Sequence, residues 1–351
     1  MSAREGPSRL RGYGPTSYGE AFADVYDDWY QDISDVAATV TRVRALADGG
    51  PVLELGVGTG RLALPLAEAG VETWGVDASG AMLARLRAKP GGTGLRVVQA
   101  DMAAPGLAAD GRFAVVFCAY NTFFNLTEPE AQAACLRWAA TALAHDGRLV
   151  IEAFVPAGRE AEDGRTVSVR SVDANRVVLS VAQRDPDAQV IAGQFVDLSE
   201  AGRRLRPYRI HYLFPDQLDA LAAEAGLALV AREATWVGAP FTDKSPNHVS
   251  IYARAHPFPH QAQSSSATTA CTAGTMTSQS APSSRLTVRK SAVPNSITTP
   301  GMAKMRSAKG LPIAASALRT SSIASKVTSR VNFMALGLGV GDGSAEAMAR
   351  P

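Results

Sequence analysis

A glycine-rich segment, Glu54-Leu-Gly-Val-Gly-Thr-Gly60, follows a short apolar stretch and precedes a run of helix-forming residues. Gly56 permits a tight turn, Gly58 lets a ligand approach the backbone, and Gly60 starts a helix whose first N–H groups have no partner within that helix. Such a loop can bind a phosphate or a carboxylate. Loops of this kind occur in nucleotide enzymes in general and also as plain turns, so the segment alone does not identify a ligand.

Two acidic residues and a methionine follow at the ends of the next two predicted strands. Asp77 ends the segment 73–77, and Asp101 ends the segment 96–101. The first carboxylate can accept both ribose hydroxyls of an adenosine. The second can accept the adenine amine, while Met102 covers the face of the ring. Each acid alone also fits a helix cap or a turn, but ligands of wound sheets bind outside the carboxyl ends of strands, where all these features lie.

Strands and helices alternate through the part of the chain that contains these residues. Predicted strands lie at 51–56, 73–77, 96–101, 113–119 and 148–154, with helices at 61–69, 81–88 and 128–144. This order predicts an α/β fold with a Rossmann-like, doubly wound parallel sheet and right-handed crossovers. An amphipathic helical region at 18–47 precedes the sheet.

After Phe154 the pattern changes to consecutive short strands, which is typical of an antiparallel meander. These strands are predicted at 166–172, 176–184, 190–198 and 208–214, and a helix at 215–225 and closing strands at 227–236 and 248–254 follow. We expect residues 156–214 to form an antiparallel β lid, inserted into the wound fold, that covers the cofactor and builds the acceptor pocket. A sheet extension or a dimer contact is the alternative interpretation.

The three strand-end segments together resemble the successive cofactor motifs of class I S-adenosylmethionine-dependent methyltransferases. They read Glu-Leu-Gly-Val-Gly-Thr-Gly, Gly-Val-Asp-Ala-Ser and Gln-Ala-Asp-Met, and the resemblance covers about residues 18–255. It implies that S-adenosylmethionine is the cofactor, that Glu54 and the three glycines border its methionine moiety, that Asp77 binds the ribose and that Asp101 binds the adenine. The sequence departs from the family at Ala114, where an acidic residue is common.

Two further segments, at 26–30 and around His211, resemble the small-molecule members of that family, such as glycine and amino-sugar N-methyltransferases, and segment 113–126 resembles the family in general. Tyr26-Asp-Asp-Trp-Tyr30 matches their N-terminal helix, in which an early tyrosine closes over the methionine end of the cofactor, and Tyr26 is the matching residue. Segment 113–126 matches the fourth strand and its loop, and places Tyr120 and Asn121 where cofactor and acceptor meet. His211 matches the last lid strand and is a candidate proton acceptor. Core packing of either tyrosine, and a hydrogen-bonded surface histidine, are the alternatives.

The charge is divided unevenly along the 351 residues. From His256 onward the chain has ten Lys or Arg residues and two acidic residues, although the net charge of the whole chain is only +2. The absence of a basic face on residues 18–255 argues against a nucleic-acid substrate. We expect residues 1–17 to be disordered and 256–351 to form a low-complexity, disordered tail that methyl transfer does not need. A basic arm for anionic polymers and a translated shifted reading frame are alternatives for this tail.

The sequence therefore predicts an enzyme that methylates an N or O atom of a small-molecule acceptor. We expect no metal, because the three cysteines lack ligand spacing. We expect no membrane contact and a cytoplasmic location, because neither a secretory signal nor a membrane helix is evident. Two rival functions are a nicotinamide-dependent oxidoreductase, which Asp101 and the lack of a Ser/Tyr/Lys set disfavour, and a non-catalytic cofactor-binding protein of the same fold.

Overall fold

The computed structural model describes residues 10–31, 34–156 and 164–255, which form two β-sheets and the helices around them. The helices are α1 (Ser17–Phe22), α2 (Tyr26–Trp29), α3 (Val36–Ala47), α4 (Ala63–Glu68), α5 (Gly80–Arg87), α6 (Pro129–Ala142) and α7 (Pro215–Glu224). The strands are β1 (Val52–Leu55), β2 (Thr73–Asp77), β3 (Arg96–Gln99), β4 (Phe113–Cys118), β5 (Leu143–Phe154), β6 (Arg165–Val172), β7 (Arg176–Asp185), β8 (Val190–Ser199), β9 (Gly202–His211), β10 (Leu227–Glu233) and β11 (Asn247–Arg254).

The larger sheet has seven strands in the order β10-β11-β5-β4-β1-β2-β3. Strands β1 to β5 are parallel, and β11 and β10 add to β5 in antiparallel orientation. The chain runs from β1 outward to β3 and then returns to β4 on the other side of β1. A crevice opens at the carboxyl ends of strands at such a reversal, which is where wound sheets bind their ligands. The predicted doubly wound fold is confirmed.

Alternate residues of the central strands pack into two apolar layers on opposite faces of the sheet. Leu53 and Val116 belong to the layer that contains α1, α6 and α7, and Val52 and Val115 to the layer that contains α3. All four of these side chains are buried. Continuous apolar strands covered by helices on both faces are what a parallel sheet requires.

The helical region predicted at 18–47 is divided into α1, α2 and α3. A new helix begins after Asp35. Its side chain accepts a hydrogen bond from the Ala38 N–H at 2.8 Å and so caps the N-terminus of α3. The chain also leaves helical geometry between α1 and α2, where Asp24 forms an ion pair with Arg206 of β9 (2.6 Å). The periodicity of the apolar residues gives no indication of either polar interaction, so the sequence did not predict these two breaks.

The second sheet, β6-β7-β8-β9, is antiparallel throughout, as predicted. Its last strand differs from the prediction, since β9 begins at Gly202 rather than at 208 and ends at His211 rather than at 214. The segment before Tyr208 contains charged residues that hide the strand pattern. One of them, Arg206, is only 2% exposed because Asp24 and Asp197 both pair with it.

The sequence predicts disorder at both ends of the chain, at residues 1–17 and 256–351. Residues 1–9 and 256–351 lie outside the described residues. The structure does describe residues 10–17, which were predicted to be disordered, and the Tyr13 hydroxyl there is buried. No helix of the described part of the chain is long and apolar enough to cross a membrane.

Candidate functional site

A cleft of about 330 Å³ lies at the carboxyl ends of β1, β2 and β3. The N-terminal segment covers one side of it with Tyr13 and Tyr18, and residues 125–128 line another side. Of the predicted cofactor residues, those that line this cleft are Tyr26, Gly56, Gly58, Asp77, Asp101 and Met102. The predicted residues that are not part of this lining are Glu54, Gly60, Tyr120, Asn121 and His211.

The three loop glycines all have positive φ, but each is required for a different structural reason. A Cβ at Gly56 (φ +75°) would overlap the Thr122 side chain, so this glycine allows the loop after β4 to approach. A Cβ at Gly58 (φ +53°) would meet nothing within 4 Å, so its backbone faces open space in the cleft. A Cβ at Gly60 (φ +80°) would press on Leu64 and Leu86, which makes this glycine a packing requirement.

Asp77 holds the glycine loop and the start of α5 together. Its Oδ2 accepts a hydrogen bond from the Gly58 N–H and its Oδ1 accepts one from the Ser79 N–H, both at 2.8 Å. Burial raises the pKa of this carboxyl group, although both hydrogen bonds act in the opposite direction. Each oxygen keeps a further lone pair, so the carboxylate can accept two more donors from a ligand in the cleft.

Asp101 and Met102 lie on the cleft wall beyond Asp77. The Asp101 Oδ1 accepts a hydrogen bond from the Ala103 N–H at 2.9 Å, which fixes the carboxylate in a short turn after β3. The other oxygen has no hydrogen bond of its own among the described residues. A planar ring with an exocyclic amine therefore finds both an acceptor and an apolar cover here.

Glu54 and Arg61 lie behind the glycine loop, near enough to interact electrostatically. Glu54 is 5% exposed, and its Oε2 has no hydrogen-bond partner among the described residues. Burial raises the pKa of Glu54 well above its usual range, and Arg61 opposes this effect. The Nη1 of Arg61 donates to the Tyr30 carbonyl oxygen at 2.7 Å, whereas its Nε and Nη2 are buried without a partner in the described part of the chain.

Arg61 was not a candidate in the sequence analysis. Its guanidinium carbon lies 3.9 Å from the centroid of the Tyr120 ring and 6.0 Å from that of Tyr26. The structure thus brings these two predicted tyrosines together around one arginine. In the sequence, the only indication of a functional role for Arg61 was its position directly after Gly60.

Tyr120 and Asn121 form a left-handed turn after β4, with φ of +54° and +62°. The Tyr120 N–H donates to Glu152 Oε2 at 2.9 Å, and the Asn121 Oδ1 accepts from the Phe154 N–H at 2.6 Å. These bonds join the turn to the end of β5, and burial raises the pKa of Glu152. The Tyr120 hydroxyl is buried without a partner among the described residues.

The N-terminal segment is tied to the cleft through both α1 and α2. Asp27, next to Tyr26, accepts a hydrogen bond from Thr59 Oγ1 (2.6 Å) and pairs with Lys89 (2.8 Å). Glu20 accepts hydrogen bonds from the Ser79 hydroxyl (2.8 Å) and from the Ala81 N–H. Tyr26 is therefore held over the glycine loop rather than only packed on the core.

His211 lies at the end of β9 and is buried beside α6. Its Nδ1 is 3.0 Å from Gln132 Oε1, and the Gln132 Nε2 donates to the His211 carbonyl oxygen at 2.8 Å. With the amide so oriented, Nδ1 must carry the proton, which leaves Nε2 as the acceptor of a neutral imidazole. Burial lowers the pKa of His211, with Arg209 acting in the same direction. Its role as a proton acceptor stays a prediction.

The described residues fit the cofactor that the resemblance implies. Glu54 offers an unused acceptor for an ammonium group, and Arg61 offers unused donors for a carboxylate. Gly58 leaves room for a ligand against the backbone, and Asp77 and Asp101 provide acceptors at two consecutive strand ends. No group of three or more His, Cys, Asp or Glu side chains that could hold a metal occurs among the described residues.

Comparisons with known proteins give matches over the same part of the chain. A methyltransferase domain matches residues 52–147. The cypemycin N-terminal methyltransferase from a Streptomyces species is 30% identical over 237 residues, which are 66% of this chain and 95% of that protein. The solved structure of the CcbJ methyltransferase from Streptomyces caelestis is 40% identical, with a TM-score of 0.65, and the match covers 70% of this chain and 100% of that one. The sugar N-methyltransferase KedS8 from a Streptoalloteichus species is 25% identical, with a TM-score of 0.51, and the match covers 70% and 99%.

Proposed function

Since this chain belongs to the class I S-adenosylmethionine-dependent methyltransferases, we propose that it methylates the nitrogen of an amino group on a small-molecule acceptor. Two of its relatives are named for methylation at nitrogen, one at a peptide N-terminus and one on a sugar. Both are matched over nearly their full length. This shared chemistry is the observation that favours an amine over a hydroxyl acceptor.

In this proposal the cleft holds the adenosine part of S-adenosylmethionine. Asp77 accepts the two ribose hydroxyls through the lone pairs that its backbone hydrogen bonds leave free. Asp101 accepts the adenine amine, and Met102 covers the ring. Gly58 lies against the sugar because no side chain separates its backbone from the cleft.

Glu54 and Arg61 hold the methionine part in the same proposal. The ammonium group pairs with Glu54, whose Oε2 is otherwise unsatisfied, and the carboxylate pairs with the free Nε and Nη2 of Arg61. A bound charge of the right sign relieves the cost of each buried unpaired atom. Tyr26 and Tyr120, which flank Arg61, then lie at the reactive end of the cofactor.

For methyl transfer to an amine, the protein has to align the cofactor with the acceptor and remove one proton from the acceptor. When bound, S-adenosylmethionine supplies a methyl group on a positively charged sulfur, which leaves as a neutral thioether. An amine attacks only as the free base, so a proton must leave the acceptor ammonium. His211 accepts this proton at Nε2, since burial keeps its imidazole neutral and Gln132 fixes its tautomer. The covering N-terminal segment excludes water from the aligned pair.

The second sheet serves as the lid of the acceptor site. Both of its ends are attached to the larger sheet, through β5 and through α7. Its Phe195 packs edge to face against Phe22 of α1 at 5.6 Å, so the sheet lies on the same helix that covers the cofactor cleft. Side chains that the sheet carries are thereby placed next to the site without disturbing the wound core.

The acceptor class is tested with a paired panel of amines and hydroxyl analogues. The protein is incubated with methyl-labelled S-adenosylmethionine and with amino sugars and short peptides, each beside a compound whose amine is replaced by hydroxyl. We expect label on amines alone, and transfer to the hydroxyl analogues would contradict the proposal.

The role of His211 is tested in the same assay. His211→Ala should lower turnover at neutral pH and leave cofactor affinity unchanged, with recovery as the pH rises and the acceptor loses its proton to water. His145→Ala, at an exposed histidine on β5, is the matched control. Equal activity of the two variants would remove His211 from the mechanism.

A further inference from the structure

Tyr13 is a tyrosine of the N-terminal segment that lines the cofactor cleft. Its hydroxyl is buried and has no hydrogen-bond partner among the described residues. Two contacts hold the residue in a turn, since its own N–H donates to the Leu10 carbonyl oxygen at 3.1 Å and the Gly14 N–H donates to Ser17 Oγ at 2.9 Å. A hydrogen-bonded turn therefore presents this side chain to the cleft, and its hydroxyl lacks the partner that buried polar groups normally have.

Several contacts place Tyr13 at the end of the cleft where Asp101 lies. Burial raises the pKa of the Tyr13 hydroxyl to about 12, and the backbone N–H of Arg209 is close enough to oppose this effect. The Arg209 side chain pairs at 3.0 Å with Glu128, which precedes α6 and also lines the cleft. Burial raises the pKa of Cys135, within α6, to about 12, and Asp101 is near enough to raise it further. Tyr13, the first turns of α6 and Asp101 therefore surround the same end of the cleft.

The polar groups at this end of the cleft differ in what they offer a ligand. A carboxylate only accepts hydrogen bonds, so Asp101 can accept the exocyclic amine of a base. The ring nitrogens of adenine are acceptors and need a donor. Arg209 presents its N–H to the oxygen of Tyr13, so the hydroxyl hydrogen is left for an acceptor in the cleft. One acceptor and one donor at the same end match the amine and a ring nitrogen of adenine.

We propose that the Tyr13 hydroxyl donates a hydrogen bond to a ring nitrogen of the adenine whose amine Asp101 accepts. This contact rests on the proposed placement of S-adenosylmethionine in the cleft, and it adds a residue from outside the wound sheet to the adenine site. The bound base supplies the acceptor that the buried hydroxyl lacks. The base is thereby held from two sides, by the strand ends and by the covering N-terminal segment.

Calorimetric titration of the full chain with S-adenosylhomocysteine and its 1-deaza, 3-deaza and 7-deaza analogues tests this contact. Each analogue replaces one ring nitrogen by C–H and so removes one acceptor. For one analogue, the loss of affinity relative to the parent compound should be about 3- to 10-fold larger in the wild type than in Tyr13→Phe, because phenylalanine lacks only the hydroxyl.

Tyr208→Phe is the matched control for this substitution. The Tyr208 hydroxyl is likewise buried without a partner in the described part of the chain, but it belongs to the second sheet and is not part of the cleft lining. This variant should discriminate among the four ligands as the wild type does. Thermal unfolding of both variants verifies that they are folded.

Asp101→Asn, titrated beside these variants, separates the Tyr13 contact from the cofactor placement on which it rests. It should weaken binding of S-adenosylhomocysteine, and unchanged binding would refute the adenine placement and the Tyr13 contact with it. A Tyr13→Phe variant that discriminates all three analogues as strongly as the wild type would overturn the Tyr13 contact alone. Equal weakening of all four ligands by Tyr13→Phe would also overturn it, because the hydroxyl would then support the turn rather than bind the base.

Discussion

Asp77→Asn is the substitution that separates cofactor recognition from support of the loop. The carboxylate accepts two backbone N–H groups at 2.8 Å, and in our proposal it also accepts two ribose hydroxyls. Asparagine keeps the shape but has one acceptor oxygen and no charge. Loss of the charge-assisted bonds to the ribose should cost about 1.5–3 kcal/mol, which weakens cofactor binding about 10- to 150-fold.

The same change also affects stability, because one of the two backbone N–H groups loses its acceptor. A buried unsatisfied donor costs about 1–3 kcal/mol, so the melting temperature should fall together with the affinity. Calorimetric titration with S-adenosylhomocysteine is therefore done well below the melting temperature of the variant. Asp110→Asn is the matched control, since Asp110 is an exposed acid just before β4, at the opposite end of the sheet.

A cofactor analogue without the two ribose hydroxyls makes this test specific. The wild type should bind the 2′,3′-dideoxy analogue about as weakly as the variant binds the natural compound. Asp77→Asn should bind both compounds with nearly equal affinity, because the interacting pair is already broken. A variant that still discriminates between them as strongly as the wild type would refute the assignment of Asp77 to the ribose.

Three further predictions concern the scaffold around the site. Gly56→Ala should reduce stability by clearly more than Gly58→Ala, whose left-handed backbone alone costs about 1–2 kcal/mol, when both are compared by urea unfolding. Burial lowers the pKa of His248 to about 3, so its contribution to stability is complete above the unfolded pKa of about 6.5 and is lost as the pH falls towards 3. At pH 5 the wild type should be about 2 kcal/mol less stable than at neutral pH from this group alone, and His248→Asn should remove that dependence. Arg206→Met should destabilise the protein by about 1–3 kcal/mol, because the Asp24 carboxylate and the Ala21 carbonyl oxygen lose a buried donor, although Arg204 and Arg176 still pair with Asp24 and Asp197; a melting temperature within 2 °C of wild type would contradict this.

The parts of the fold that the sequence predicted are those that local rules determine. Apolar strands such as β1 and β4 and the acids that end β2 and β3 follow from short segments, and the glycine loop needs backbone angles that its own residues permit. The antiparallel second sheet was also evident from its alternation. These features are all encoded within a few neighbouring residues, so one sequence is enough to find them.

The parts that the sequence did not predict depend on contacts between distant residues. Arg206 joins β9 to Asp24 across the chain, and this buried pair both shortened the predicted β9 and interrupted the helix predicted at 18–47. Arg61 has a role only because Tyr120 and Glu54 fold against it. Gln132 could not be connected with His211, because α6 and β9 meet only in the folded protein.

A crystal structure of the chain with S-adenosylhomocysteine tests the proposed cofactor site. We expect the ribose hydroxyls to lie within hydrogen-bonding distance of Asp77 and the adenine amine to lie at Asp101. We also expect the amino-acid end to lie between Glu54 and Arg61. A ligand bound outside this cleft, or one whose adenine and amino-acid ends are exchanged, would refute these assignments.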